Sequence, residues 1–127
     1  MQLSLKHNLP FTTVRVSYKG DVLEIPDILV DTGSSSTVLS ADFLAKINIT
    51  PLAEDVLHTI SGVGGSEVVF TRLIDYLQIG EKKISNFEIE IGGMDYGFQI
   101  NGILGMDFLV RAGALINLQE IKIEFDS

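Results

Sequence analysis

Ile28-Leu29-Val30-Asp31-Thr32-Gly33-Ser34-Ser35-Ser36 runs an apolar strand straight into an acid and then into a turn. An aspartate delivered by a rigid strand, with a glycine close behind it that lets backbone approach the carboxylate, is held at a fixed geometry. Taken alone, Asp31-Thr32-Gly33 also fits a plain turn after a strand. The stretch therefore nominates Asp31 as a functional acid and leaves its chemistry to the rest of the chain.

Outward from this acid, most segments alternate apolar and polar residues at a spacing of two, the pattern of half-buried antiparallel strands. Phe11 to Tyr18 and Val22 to Val30 flank the turn Lys19-Gly20-Asp21, and Glu67 to Ile79 and Lys83 to Ile91 flank Gly80-Glu81-Lys82. Ala114 to Leu118 and Ile121 to Phe125 are divided by Gln119-Glu120. Two segments break the alternation and predict short helices: Ser40 to Ile47, with Phe43, Leu44 and Ile47 on one face behind a Ser40 cap, and Met106 to Arg111. The glycine-dense run Ser61-Gly62-Val63-Gly64-Gly65-Ser66 lies between strand-like stretches and predicts a mobile hairpin tip. With 127 residues and no linker, repeat or low-complexity tract, the expectation is a single domain over 1–127, all-β with one or two short helices.

Composition removes several chemistries. There is no cysteine, hence no thiolate nucleophile, disulfide framework or Cys-based metal site. His58 is expected on the first strand leading to the glycine run, Val56 to Ile60, and His7 near a loose terminus. Neither a Ser-His-Asp triad nor a three-histidine zinc site can be assembled from them, and no metal or organic cofactor is expected. The glycine run lacks the lysine of a phosphate loop. Seventeen acidic against nine basic residues give a charge of −8, which opposes attraction to nucleic acid or an anionic membrane. No apolar run approaches the length of a membrane span, and Met1 to Asn8 lacks the features of a secretory signal. A cytoplasmic protein is the expectation. Asp107 is expected to buttress the helix behind Gly105, and Asp75 to face outward.

A second motif changes the weight given to Asp31. At Ile100-Asn101-Gly102-Ile103-Leu104-Gly105, bulky apolar residues and a glycine lead into the helical segment Met106 to Arg111. Asp31-Thr32-Gly33, the tip Gly62-Val63-Gly64-Gly65, and Ile103-Leu104-Gly105 with its helix occur in the order and approximate spacing of the retropepsin-like aspartic proteases. The chain resembles that single-lobe group from roughly Phe11 to Leu118. The resemblance implies a closed acid-protease barrel and a catalytic Asp31. It also implies a Thr32 hydroxyl bonding across a two-fold axis, a Gly33 that contacts substrate, and a flap formed by Ser61, Gly62, Val63, Gly64 and Gly65. Ile103, Leu104 and Gly105 would be structural support beneath the catalytic loop. The family's chemistry needs two facing carboxylates, and this chain carries one Asp-Thr-Gly and no Asp-Ser-Gly. The second acid would then be Asp31 of another copy, so the expected partners are a second copy and a peptide or protein substrate.

Departures from the retroviral pattern are specific. Ser34 stands where those enzymes carry alanine; a hydroxyl donating to the carboxylate would lower its pKa and shift activity toward acid. Ser35 and Met106 stand where those enzymes place an ion pair, so both partners are absent together and no charge is stranded. The terminal stretches Met1 to Leu9 and Ile121 to Ser127 are both candidates for the dimer contact. The rival reading is a non-enzymatic peptide-binding or dimerisation module on the same barrel. An intact Asp-Thr-Gly weighs against it, because a binding module has no need of an acidic pair.

Overall fold

Tight hairpins form where the chain offers residues that accept a left-handed backbone, and this chain places such residues at three strand junctions. The computed structural model describes residues 1–62, 65–94 and 99–125, with side chains outside 60–62 and 65–67. In chain order it contains β1 (Ser4–Lys6), β2 (Leu9–Tyr18), β3 (Asp21–Val30), β4 (Val38–Ser40), α1 (Ala41–Leu44), a 3₁₀ turn (Ala45–Ile47), β5 (His58–Gly62), β6 (Gly65–Ile79), β7 (Lys82–Gly92), β8 (Gly102–Leu104), α2 (Met106–Arg111), β9 (Leu115–Asn117) and β10 (Lys122–Glu124). The described residues are mainly β with a few short helices, in agreement with the sequence reading.

β2 and β3 pair up to Tyr18↔Asp21, and the connecting Lys19 and Gly20 have φ of 49° and 87°. β6 and β7 pair in antiparallel order from Phe70↔Ile91 to Ile79↔Lys82, with a gap at Asp75 and Asn86, closing at Gly80 with φ 56°. Both turns are one residue tighter than the sequence suggests, because Asp21 and Lys82 already belong to strands. The third junction is His7-Asn8, with φ of 53° and 60°, which folds β1 back on β2 with Lys6↔Leu9 as the last pair.

That hairpin corrects the expectation of a loose terminus. The Met1 ammonium donates to Ile123 O at 2.9 Å, Ile123 N donates to Met1 O at 2.9 Å, and Leu3 N donates to Ile121 O at 2.8 Å. Leu3 is buried at 4% exposure. The two candidate dimer stretches thus pair with each other inside one chain, and Ile123 is fully buried there.

The main sheet has the order β1-β2-β3-β8-β4-β7-β6-β5, and β2 also pairs with β6 through Arg15↔Gln78, Val16↔Leu77 and Ser17↔Tyr76. The ladder therefore returns on itself from β6 to β2. Two of its contacts are parallel, β3 with β8 and β4 with β7, and β9 and β10 form a separate antiparallel pair. Alternation along β7 sends Phe87, Ile89 and Ile91 into the core, where they join Val14, Ile74 and Leu104. α2 closes the core with Phe108, whose ring meets Phe87 edge-on at 5.7 Å. Burying side chains of this size supplies roughly 1.5–3 kcal/mol each.

The first helical segment departs from its reading in one respect. Ser40 occupies the position before α1 but makes no side-chain cap. It is the last residue of β4, and its N–H donates to Asn101 O at 3.0 Å. Sheet pairing takes the residue that the helix would otherwise use.

Asp75 is exposed and faces outward on β6, and it also ties the β2–β3 turn. Its Oδ2 accepts from Gly20 N at 3.2 Å and from Ser17 Oγ at 3.1 Å. The Gly20 N–H holds this carboxyl below its ordinary value; desolvation, second in size, opposes it, and Ser17 and Lys19 add smaller lowering contributions. A depressed carboxyl stabilises the fold above its unfolded-state pKa and loses that contribution as pH falls through the folded value. Asp75→Asn should therefore flatten the acid limb of a stability–pH curve below about pH 4, measured by urea titration at stepped pH.

Candidate active site

β3 delivers Asp31 by continuing its parallel ladder with β8. Val30 pairs with Leu104, and the next N–H, that of Asp31, donates to Leu104 O at 3.0 Å. The acid's backbone is thus fixed by the sheet before its side chain makes any contact. Its Oδ1 accepts from Gly33 N at 2.9 Å, an aspartate turn that holds the carboxylate over the following backbone. A Cβ at position 33 would lie 3.1 Å from that same Oδ1. Glycine keeps the carboxylate uncrowded. Asp31 is half-buried, while Thr32 and Gly33 are exposed, and among the described residues the Thr32 hydroxyl has no hydrogen-bond partner.

Ser34 corrects one expectation. Its Oγ donates to Ser36 O at 2.7 Å, not to the Asp31 carboxylate. The hydroxyl is spent on local backbone, as serines in turns commonly are, and the argument for an unusually acidic optimum loses its basis.

The far side of the loop rests on α2. Met106 N donates to Ser34 O at 2.8 Å and Asp107 N to Ser35 O at 3.2 Å. Loop carbonyls thereby satisfy the first amides of the helix, which lack partners within it. Gly105, at the N-cap position, lies against the loop backbone so closely that a Cβ would stand 2.3 Å from Ser36 O. The structure so brings Leu104, Gly105 and α2 directly behind the Asp31 loop, and Ile103 pairs with Leu29 beside it.

The residue that locks this arrangement is Thr37, which the sequence reading passed over. It is fully buried; its Oγ1 donates to Asp107 Oδ1 at 2.7 Å and accepts from Gly105 N at 3.1 Å. Thr37 N also donates to Asp107 Oδ2 at 3.1 Å. Asp107 is a buttress, in keeping with its expected structural role, and its Oδ1 further accepts from Phe108 N at 2.8 Å. Thr37→Val keeps the shape and removes the hydroxyl, leaving the Gly105 N–H and one lone pair of Asp107 unsatisfied. The expected cost is about 2 kcal/mol, readable as a lowered urea midpoint with an unchanged slope.

The glycine run is reached by β5 and β6, which pair through Ser61↔Ser66 and Gly62↔Gly65. Val63 and Gly64 lie outside the described residues. β5 begins at His58, two residues later than expected, with Val56 and Leu57 exposed in the preceding loop. That loop is anchored where Arg72 meets Asp55 Oδ2 at 2.5 Å. Among the described residues no three His, Asp or Glu side chains converge as metal ligands, and no helix is long and apolar enough to cross a membrane.

A single carboxylate fixed at a strand end, set in a glycine turn and backed by an apolar-glycine segment and helix, is the arrangement expected from the resemblance to aspartic proteases. The family model for aspartyl proteases matches residues 14–108, a span that includes the Asp31 loop, the β5–β6 hairpin and the support from Ile103 to Phe108. The chain belongs to the aspartyl protease family, in its retropepsin-like group. It is 31% identical over 96 residues to DNA damage-inducible protein 1 of Yarrowia lipolytica (strain CLIB 122 / E 150), an alignment covering 75% of this chain. The match takes in 23% of that protein's length, so this chain corresponds to one portion of a much longer relative.

Proposed function

We propose that the chain is a homodimeric aspartic endopeptidase, hydrolysing peptide bonds with the Asp31 carboxylates of two copies and one water. The observation that carries this reading is the placement of the one Asp-Thr-Gly acid, backbone-locked to β8 and half-exposed beside an open Thr32-Gly33. Two carboxyls within a few ångströms cannot both ionise easily, so the pair holds one proton between them. The ionised member takes a proton from water as it attacks the scissile carbonyl carbon, and the protonated member gives its proton to the carbonyl oxygen. Collapse of the resulting diol breaks the C–N bond and sends a proton to the leaving amine. The titration belongs to the pair and not to either copy.

In this reading Thr32 bonds across the two-fold axis, Gly33 lies along the substrate, and Ser34 closes the active-site loop. Ser61, Gly62, Val63, Gly64 and Gly65 form the flap, excluding water and donating backbone hydrogen bonds. Ile103, Leu104 and Gly105 are scaffold. Residues 1–127 act as one domain, and the ladder that returns from β6 to β2 is the closed acid-protease barrel. An extended peptide is held mainly through its main chain, as in strand addition.

The test is a peptide-library digest at several pH values, with and without a hydroxyl-bearing mimic of the tetrahedral intermediate, alongside sedimentation at the same concentration. A dimer whose cleavage the mimic blocks is the expected result. A verified dimer that cleaves nothing overturns the reading in favour of a binding module; cleavage by a strict monomer overturns the shared dyad.

A further inference from the structure

β3 switches faces before it reaches the acid. Ile25 is buried in the main core, and strict alternation from there would turn residues 27, 29 and 31 inward as well. Instead Val14 pairs with Ile25 and Thr12 with Ile28, so Thr13 alone opposes two residues, Pro26 and Asp27. This is a β-bulge, with Asp27 at φ 58°. Beyond it Ile28 and Val30 enter the core. Asp31, still held in the ladder by Leu104 O, therefore falls on the opposite face. A one-residue change of register exchanges the two faces of a strand. Without the extra residue, the Asp31 carboxylate would be directed into the apolar interior.

A left-handed aspartate is strained relative to an extended one, so the bulge needs a holder. Asn101 supplies it. Its N–H donates to Asp27 O at 2.9 Å, and its Nδ2 donates to Pro26 O at 2.8 Å. Both carbonyls of the bulge thus end on one residue. Asn101 is buried at 5% exposure, and its Oδ1 accepts from Gln99 Nε2 at 2.6 Å, which fixes the direction of the amide. It also immediately precedes β8, whose pairing from Ile28↔Gly102 to Val30↔Leu104 carries the chain to the acid. Lys6 adds an ion pair to the Asp27 carboxylate from β1.

We propose that Asn101 is a positioning residue for catalysis: by clamping the Pro26–Asp27 bulge it sets the face on which Asp31 emerges, without touching substrate. This rests on the peptidase reading above, and the two can fail separately. The experiment is steady-state cleavage by the intact dimer, below the melting temperature of each variant. Asn101→Leu keeps the branched shape and removes the donor to Pro26 O; kcat should fall by at least about tenfold with KM little changed. Ile79→Val, a trimmed core residue at the far end of β6, is the destabilised control and should keep kcat. Asp27→Gly and Asp27→Val both lose the Lys6 ion pair, but only glycine accepts the left-handed backbone. The glycine variant should keep kcat and the valine variant should lose it. Should Asn101→Leu fail to give a cooperative melt, the Asp27 pair decides. A kcat for Asn101→Leu equal to wild type, or equal kcat in the two Asp27 variants, overturns the positioning role alone. No cleavage by a verified wild-type dimer overturns the peptidase reading, and this one with it.

Discussion

On the proposed peptidase reading, Asp31→Asn should lower kcat for peptide hydrolysis by about a thousandfold or more while the protein still folds and dimerises. The separation of effects follows from how the residue is held. Its position depends on Asp31 N donating to Leu104 O, which the substitution does not touch. Its side chain accepts from Gly33 N, and an amide oxygen accepts equally well. What asparagine cannot do is take a proton from water or share one with its counterpart across the axis. A steady-state assay paired with sedimentation and a thermal melt checks all three claims. Retained turnover in the purified variant would place the catalytic acid elsewhere; loss of the melt would show that Asp31 serves the fold.

Gly105→Ala should destabilise the protein by about 3 kcal/mol, at the upper end for an overpacked site. The backbone at 105 is not the reason, since its φ of −97° suits any residue. The added methyl would fall 2.3 Å from Ser36 O, 2.5 Å from Ser36 C and 2.9 Å from Ser36 N. These are main-chain atoms of a loop already pinned by Met106 N and Asp107 N, so no rotamer change relieves the contact. Either the loop lifts off α2 or the helix tilts. A fall of about 10 °C in Tm is expected; on the proposed peptidase reading, activity is lost even below that temperature because the loop that must shift carries Asp31. A melt unchanged from wild type would show that the loop yields freely.

The long strands were legible because each offers enough residues for alternation to declare itself, and because Lys19-Gly20 and Gly80 sit where a left-handed backbone is needed. β4 and β8 were harder. Val38, Leu39 and Ser40 are all buried, three residues covered on both faces, and a run that short shows no period. The Asp31 motif and the Ile103-Leu104-Gly105 segment could be read as a pair by resemblance, but the clasp between them could not. Thr37 and Asp107 are seventy residues apart, and nothing local marks a threonine whose hydroxyl is spent on a distant helix. Ser34 and Ser40 misled for different reasons. Ser34 spends its hydroxyl on the nearby Ser36 carbonyl, whereas Ser40 ends a strand and makes no side-chain cap.

The sheet order has a consequence for synthesis. Asp31 is seated by Leu104, and its loop is clasped by Asp107, so the loop has no foundation until the ribosome has released the chain past that helix. An N-terminal stretch emerging alone carries the acid but not the frame that aims it. Until Leu104 and Asp107 have emerged and folded back, Asp31 lacks the backbone that positions it.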